Sequence, residues 1–170
     1  MRLQKGLIGF LAVVFLAIAA VIILNLFFNS IESLPGDSLY PVKRLGENLK
    51  LSINELSFLS RANVYLDMAA ERLNELSQLV KKQNKGQEMI ETLSRLQEEE
   101  DKALANLERE KARGTNLAES VNRFESLLLK QQTVLQNLSF DVLRDVQKAV
   151  QRAYLHTDDI LQGVHNLYGR

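Results

Sequence analysis

Two histidines lie close together near the C-terminus, His156 in the stretch HTDD and His165 nine positions on. Imidazole beside carboxylate is a combination that binds metal ions or passes protons. A helix turns by about 100° per residue, so His156 and Asp159 share a face while His165 points the opposite way. The two rings cannot chelate one ion within one helix. His156 also falls between Ala153 and Ile160 on an apolar stripe, where a core-edge histidine bonded to a neighbour is the expected outcome. The chain has no Cys for a thiolate site or a disulfide, and no glycine-rich phosphate loop. No catalytic, cofactor-binding or metal site is expected, and the chain reads as a non-enzyme.

A second cluster is QEEEDK, Gln97 to Lys102, in which Glu98, Glu99, Glu100 and Asp101 interrupt an apolar stripe. Four consecutive acids wrap around the whole helix, so a solvated or slightly splayed stretch is expected; a docking spot for a basic partner is the sharper alternative. Lys43 and Arg44, which end the stretch LPGDSLYPVKR, and Lys50 beyond it are candidates for contact with lipid phosphates. Lys and Arg number 21, as do Asp and Glu, so there is no clustered cationic footprint and nucleic acid is not an expected partner.

These residues need elements to position them. Eight glycines, two prolines and no Trp favour helices over strands. From Leu7 to Phe28 the sequence carries no charge, which as helix is roughly 33 Å, enough for a hydrocarbon core of about 30 Å. The small residues AIAA at Ala17 to Ala20 are the alternative, a signal-peptidase site, but the run continues VIILNLFF and is too long for a signal core. An uncleaved anchor is therefore expected. Arg2 and Lys5 precede it and Glu32 and Asp37 follow, which places the N-terminus inside and the rest outside. The expected divisions are a cytoplasmic tail at 1–6, a transmembrane signal anchor at 7–28, a linker and turn at 29–38, and a helical bundle at 39–168. Localisation follows as a single pass in the cytoplasmic membrane.

Both prolines sit in LPGDSLYPVKR. Pro35 presets one turn dihedral and Gly36 supplies the positive φ of a type II turn, after which Asp37 or Ser38 can cap a helix. Pro41 is tolerated only in a first helical turn. Leu39 and Tyr40 are expected to pack this elbow, so that Pro35, Gly36, Asp37, Leu39, Tyr40 and Pro41 orient the anchor. PGDSLYPVKR, followed by RANVYLDMAAERLNEL at Arg61 to Leu76, resembles a bacterial family of membrane-anchored, uncharacterised helical domains with the pattern Pro-Gly-x-x-Leu-Tyr-Pro-x-Lys-Arg after the anchor. That family has no established activity, so the resemblance implies architecture and location only.

Behind the elbow, steps of three and four predict five amphipathic helices, each with one buried stripe. The first spans about Leu39 to Leu56 with Val42, Leu45, Leu49 and Ile53. Ser57 or Ser60 caps a second holding Ala62, Leu66, Ala69, Leu73, Leu76 and Val80. Gly86 ends that helix or begins the turn after it. A third, running to about Arg113, holds Met89, Leu93, Leu96, Ala103 and Leu107 and stops at RGTN, where Thr115 or Asn116 caps a fourth with Leu117, Val121, Phe124, Leu128, Leu135 and Leu138. The fifth, about Ser139 to Tyr168, holds Val142, Val146, Ala149, Ala153, Ile160, Val164 and Leu167. Short connections predict antiparallel neighbours, so the fold class is all-α: an N-terminal transmembrane helix, then an elongated antiparallel bundle of about five helices. The expected partners are the lipid bilayer and a protein bound, or a second copy associated, through helical seams. The expected role is a membrane-anchored extracytoplasmic interaction or scaffold module; the alternative is an accessory sensor or regulator of envelope signalling acting through a membrane partner.

Overall fold

The computed structural model describes residues 2–53, 57–82, 86–138 and 144–168. Within them the chain is all helical: α1 (Arg2–Ser30), α2 (Tyr40–Ile53), α3 (Phe58–Lys81), α4 (Gly86–Lys111), α5 (Ala118–Leu138) and α6 (Arg144–Leu167). It divides into two compact units, Met1–Gly46 and Glu47–Arg170.

In the first unit α1 has its side chains described from Val14 to Asn25 and from Phe28 onward. Those of Phe15, Ile18, Val21, Ile22, Ile23 and Phe28 are all exposed, so the helix presents apolar groups in every direction. Among the described residues no helix is long and apolar enough to cross a membrane. The side chains of residues 7–13 and 26–27, part of the expected span, lie outside that description.

In the second unit the expected boundaries rest on identifiable caps. Ser57, in extended conformation, accepts at Oγ from the Ser60 N–H at 3.0 Å and so starts α3. Gly114, at φ +77°, donates its N–H to Lys111 C=O and ends α4. Asn116 rather than Thr115 serves the start of α5, its Oδ1 accepting from the Ala118 N–H at 3.0 Å. The buried stripes of α3, α4, α5 and α6 match those expected except at two C-terminal ends, where Leu79 is buried in place of the exposed Val80 and Leu167 is half-buried. Val142 and Leu56 lie outside the described residues.

Helices α3 to α6 pack as a ring, α3 against α4, α4 against α6, α6 against α5 and α5 against α3. Contacting pairs set their directions. Arg72 meets Glu99 and Tyr65 meets Lys102, so α3 and α4 run antiparallel. Gln131 meets Thr157 and Gln136 meets Tyr154, so α5 and α6 do too. Asp101 with His156 and Lys111 with Asn166 make α4 and α6 parallel. Asn63 with Ser120 and Asp67 with Arg123 make α3 and α5 parallel. The bundle is therefore two antiparallel hairpins side by side, which corrects the expectation of antiparallel neighbours throughout. Residues 112–117 can reach about 20 Å when extended, enough to carry the chain across the ring diagonal.

Candidate functional site, an elbow and a buried polar layer

The elbow in the first unit forms as its residue types dictate. Leu34 C=O accepts from the Asp37 N–H at 2.9 Å and Gly36 takes φ +92°, the closure and the left-handed residue of the expected turn. Asp37 is used differently from the expected cap: its carboxylate reaches back across the turn and accepts from the Leu34 N–H at 2.8 Å. Leu34, Pro35 and Tyr40 are buried, Leu39 is half-buried, and Pro41 is the second residue of α2, where its missing N–H breaks no helical bond.

Of the three basic residues offered for lipid contact, Lys43 is turned inward. It is buried, its Nζ donates to Ser33 C=O at 3.3 Å and lies 6.0 Å from the centre of the Tyr40 ring, so it ties the elbow rather than facing lipid. Arg44 is half-buried and Lys50 exposed. The expected buried stripe of α2 is inverted: Leu45, Leu49 and Ile53 are 67%, 61% and 69% exposed, while Tyr40, Lys43 and Glu47 are buried.

The chemistry of the second unit is concentrated in a polar layer across the ring. Arg72 on α3 is fully buried, and three carboxylates converge on its guanidinium. Its Nη2 is paired with Glu47 of α2, its Nη1 donates to Glu75 at 2.7 Å, and its Nε lies 3.5 Å from Glu99 of α4. At the same level Gln131 of α5 donates from Nε2 to Thr157 Oγ1 at 2.9 Å, and Thr157 donates in turn to Ala153 C=O at 2.7 Å. Beside them His156 is bracketed by consecutive acids of α4, Nδ1 at 3.3 Å from the buried Glu100 and Nε2 at 3.0 Å from the exposed Asp101.

This geometry sets the proton affinities. Burial pushes the Glu100 carboxyl above its usual value, with His156 and Gln131 opposing in part. Burial alone would depress His156, but its hydrogen bonds to Glu100 and Asp101, reinforced by their charges, outweigh it and hold the imidazole above its usual value. His165 lies apart, exposed and 3.3 Å from Glu125. Among the described residues no group of His, Asp and Glu side chains is arranged to hold a metal ion.

A domain model of unknown function matches residues 32–152. The chain belongs to the DUF5667 family. No curated protein matches it, and no solved structure does. The DUF5667 match takes in the elbow, Arg72 with its three carboxylates, Glu100 and Gln131, whereas His156 and Thr157 follow its end.

Glu99 and Glu100 correct the solvated reading of QEEEDK, since both are buried. The signal was the gap in the α4 stripe: between Leu96 and Ala103 the seam position falls at 99 or 100. Gln131 fills the corresponding gap between Leu128 and Leu135, and Thr157 that between Ala153 and Ile160. Arg72 adjoins Leu73 at the border of its stripe, where a long cation is ordinarily read as reaching for water.

Proposed function

We propose that this DUF5667 chain is a non-enzymatic, membrane-anchored, extracytoplasmic helical module that binds a protein partner or serves as a scaffold. In this reading α1 holds the chain in the cytoplasmic membrane as a single pass with its N-terminus inside, and the helices beyond the elbow act outside. The carrying observation is that α1 exposes apolar side chains on all sides, which suits lipid and not water. The interior of the bundle supports action through a surface. Thr157 has its proton on Ala153 C=O and a lone pair on Gln131, and His156 faces two acids rather than a nucleophile. A groove of about 480 Å³ between α5 and α6, lined by Leu135, Val150, Tyr154 and Leu155 among others, offers one such surface.

Protease added to intact spheroplasts should digest the region after Phe28, and undigested protein should stay membrane-bound at full mass. Release into the soluble fraction with loss of about 2 kDa would mean that AIAA is cut, and would overturn the anchor. A second reading, an accessory sensor of envelope signalling, is favoured by the protonatable pair of half-buried His156 and buried Glu100, 3.3 Å apart. It requires crosslinking to a membrane partner to change with external pH.

A further inference from the structure

Helix α2 is amphipathic in the wrong sense for a bundle. Its buried side is Tyr40, Lys43 and Glu47, with Leu51 packed on the core cluster, and Glu47 carries the only acid of the helix into the Arg72 pair. Leu45, Leu49 and Ile53 recur every four residues on the opposite side and project outward. What remains charged and at least partly exposed on α2 is Arg44 and Lys50, both cationic. Lys50 lies next to the stripe and Arg44 nearer the buried side, while the one acid of the helix, Glu47, is turned inward. An outward apolar stripe with basic and no acidic company is the pattern of a helix lying in the headgroup region of an anionic bilayer.

We infer that the Leu45–Leu49–Ile53 stripe of α2 seats on the lipid surface of the membrane in which α1 is anchored. This rests on the anchor reading proposed above. The length of the connection supports it. Residues 31–39 can span at most about 30 Å, and the turn at Leu34 to Asp37 shortens that reach, so α2 must begin close to where α1 leaves the bilayer. A second copy fits the stripe less well: 14 residues hold only two heptads, and so short a seam is marginal in water. Lipid demands no matching knobs and holes.

The chain has no Cys, so single nitroxide labels can be placed without background. The full chain is reconstituted in vesicles of phosphatidylethanolamine with a minority of phosphatidylglycerol and labelled through Leu49→Cys, Ile53→Cys, Ile22→Cys or Glu119→Cys. All four positions are exposed, so the fold should tolerate the labels. The measurement is the ratio of collisions with lipid-soluble oxygen to collisions with a water-soluble nickel chelate. The expected result is a ratio at 49 and 53 severalfold above that at 119 and approaching that at 22. Labels at 49 and 53 that behave like 119, with 22 still in lipid, would overturn the inference and leave the anchor intact. A label at 22 exposed to the chelate would overturn the anchor and this inference with it. Labels at 49 and 53 shielded from both reagents and broadened by a neighbouring spin would assign the stripe to a second copy, again overturning the lipid contact.

Discussion

Arg72 brings one positive charge to three carboxylates in a fully buried position, so its removal takes away the guanidinium that Glu47, Glu75 and Glu99 share. Arg72→Met should therefore cost about 3–5 kcal/mol, read as a lower urea midpoint at unchanged slope. Arg72→Lys keeps the charge but loses the planar fork that spans several acids, and should fall between the two. A Met variant as stable as the parent would mean that the ion cluster contributes nothing net to folding. His156 and Glu100 make a second prediction. Both hold protons more tightly in the folded chain, so their contribution is fully present below the ordinary values of 6.5 and 4.5 and is lost as the pH rises above them. Stability should decline as the pH rises past about 6.5, and His156→Gln should flatten that decline; an unchanged slope in the variant would place the titration elsewhere. The seam gaps at 99–100, 131 and 157 were legible in the sequence. The identity of the partners was not, because a charged residue at a stripe's edge looks the same whether it turns to water or into an ion pair.

At the scale of elements, Gly163 fixes how closely α6 approaches α4. A Cβ there would lie 2.6 Å from Cδ2 of Leu104. Gly163→Ala asks only that the end of a flexible side chain move, against which the helix gains propensity, so its net change should be small. Gly163→Val adds two methyls that Leu104 cannot clear, and should cost about 1–3 kcal/mol in thermal or urea unfolding. Equal effects of Ala and Val would show that backbone preference, not the approach of the helices, decides the position. Helix ends were readable because Ser57, Gly114 and Asn116 act through local hydrogen bonds. The facing of α2 was not. Periodicity identifies the apolar side of a helix but not what covers it, and in α2 the buried ion pair of Glu47 turns that side outward. The ring order was hidden for a related reason: a short connection between α4 and α5 reverses the chain without making the two helices neighbours.

For the whole molecule the elbow joins the proposed anchor to the module, and its turn chemistry gives a way to separate orientation from stability. Gly36 sits at φ +92°, a conformation that costs a residue with a Cβ about 1–2 kcal/mol, while Pro35 limits the unfolded chain. Replacing both by Ala should destabilise the first unit by about that amount and leave the melting of the second unit unchanged. Tyr40→Ala removes a buried ring and should cost on the order of 2–3 kcal/mol. If the turn sets how the module is presented to its partner, the double Ala variant should fold yet lose crosslinking in native membranes. The Gly36→Asn variant, with a residue that tolerates positive φ, should retain it. Crosslinking of the double variant to the same partners at unchanged yield would reduce the elbow to a tether. That outcome would leave the lipid contact of α2 intact, since Leu49 and Ile53 take no part in the turn.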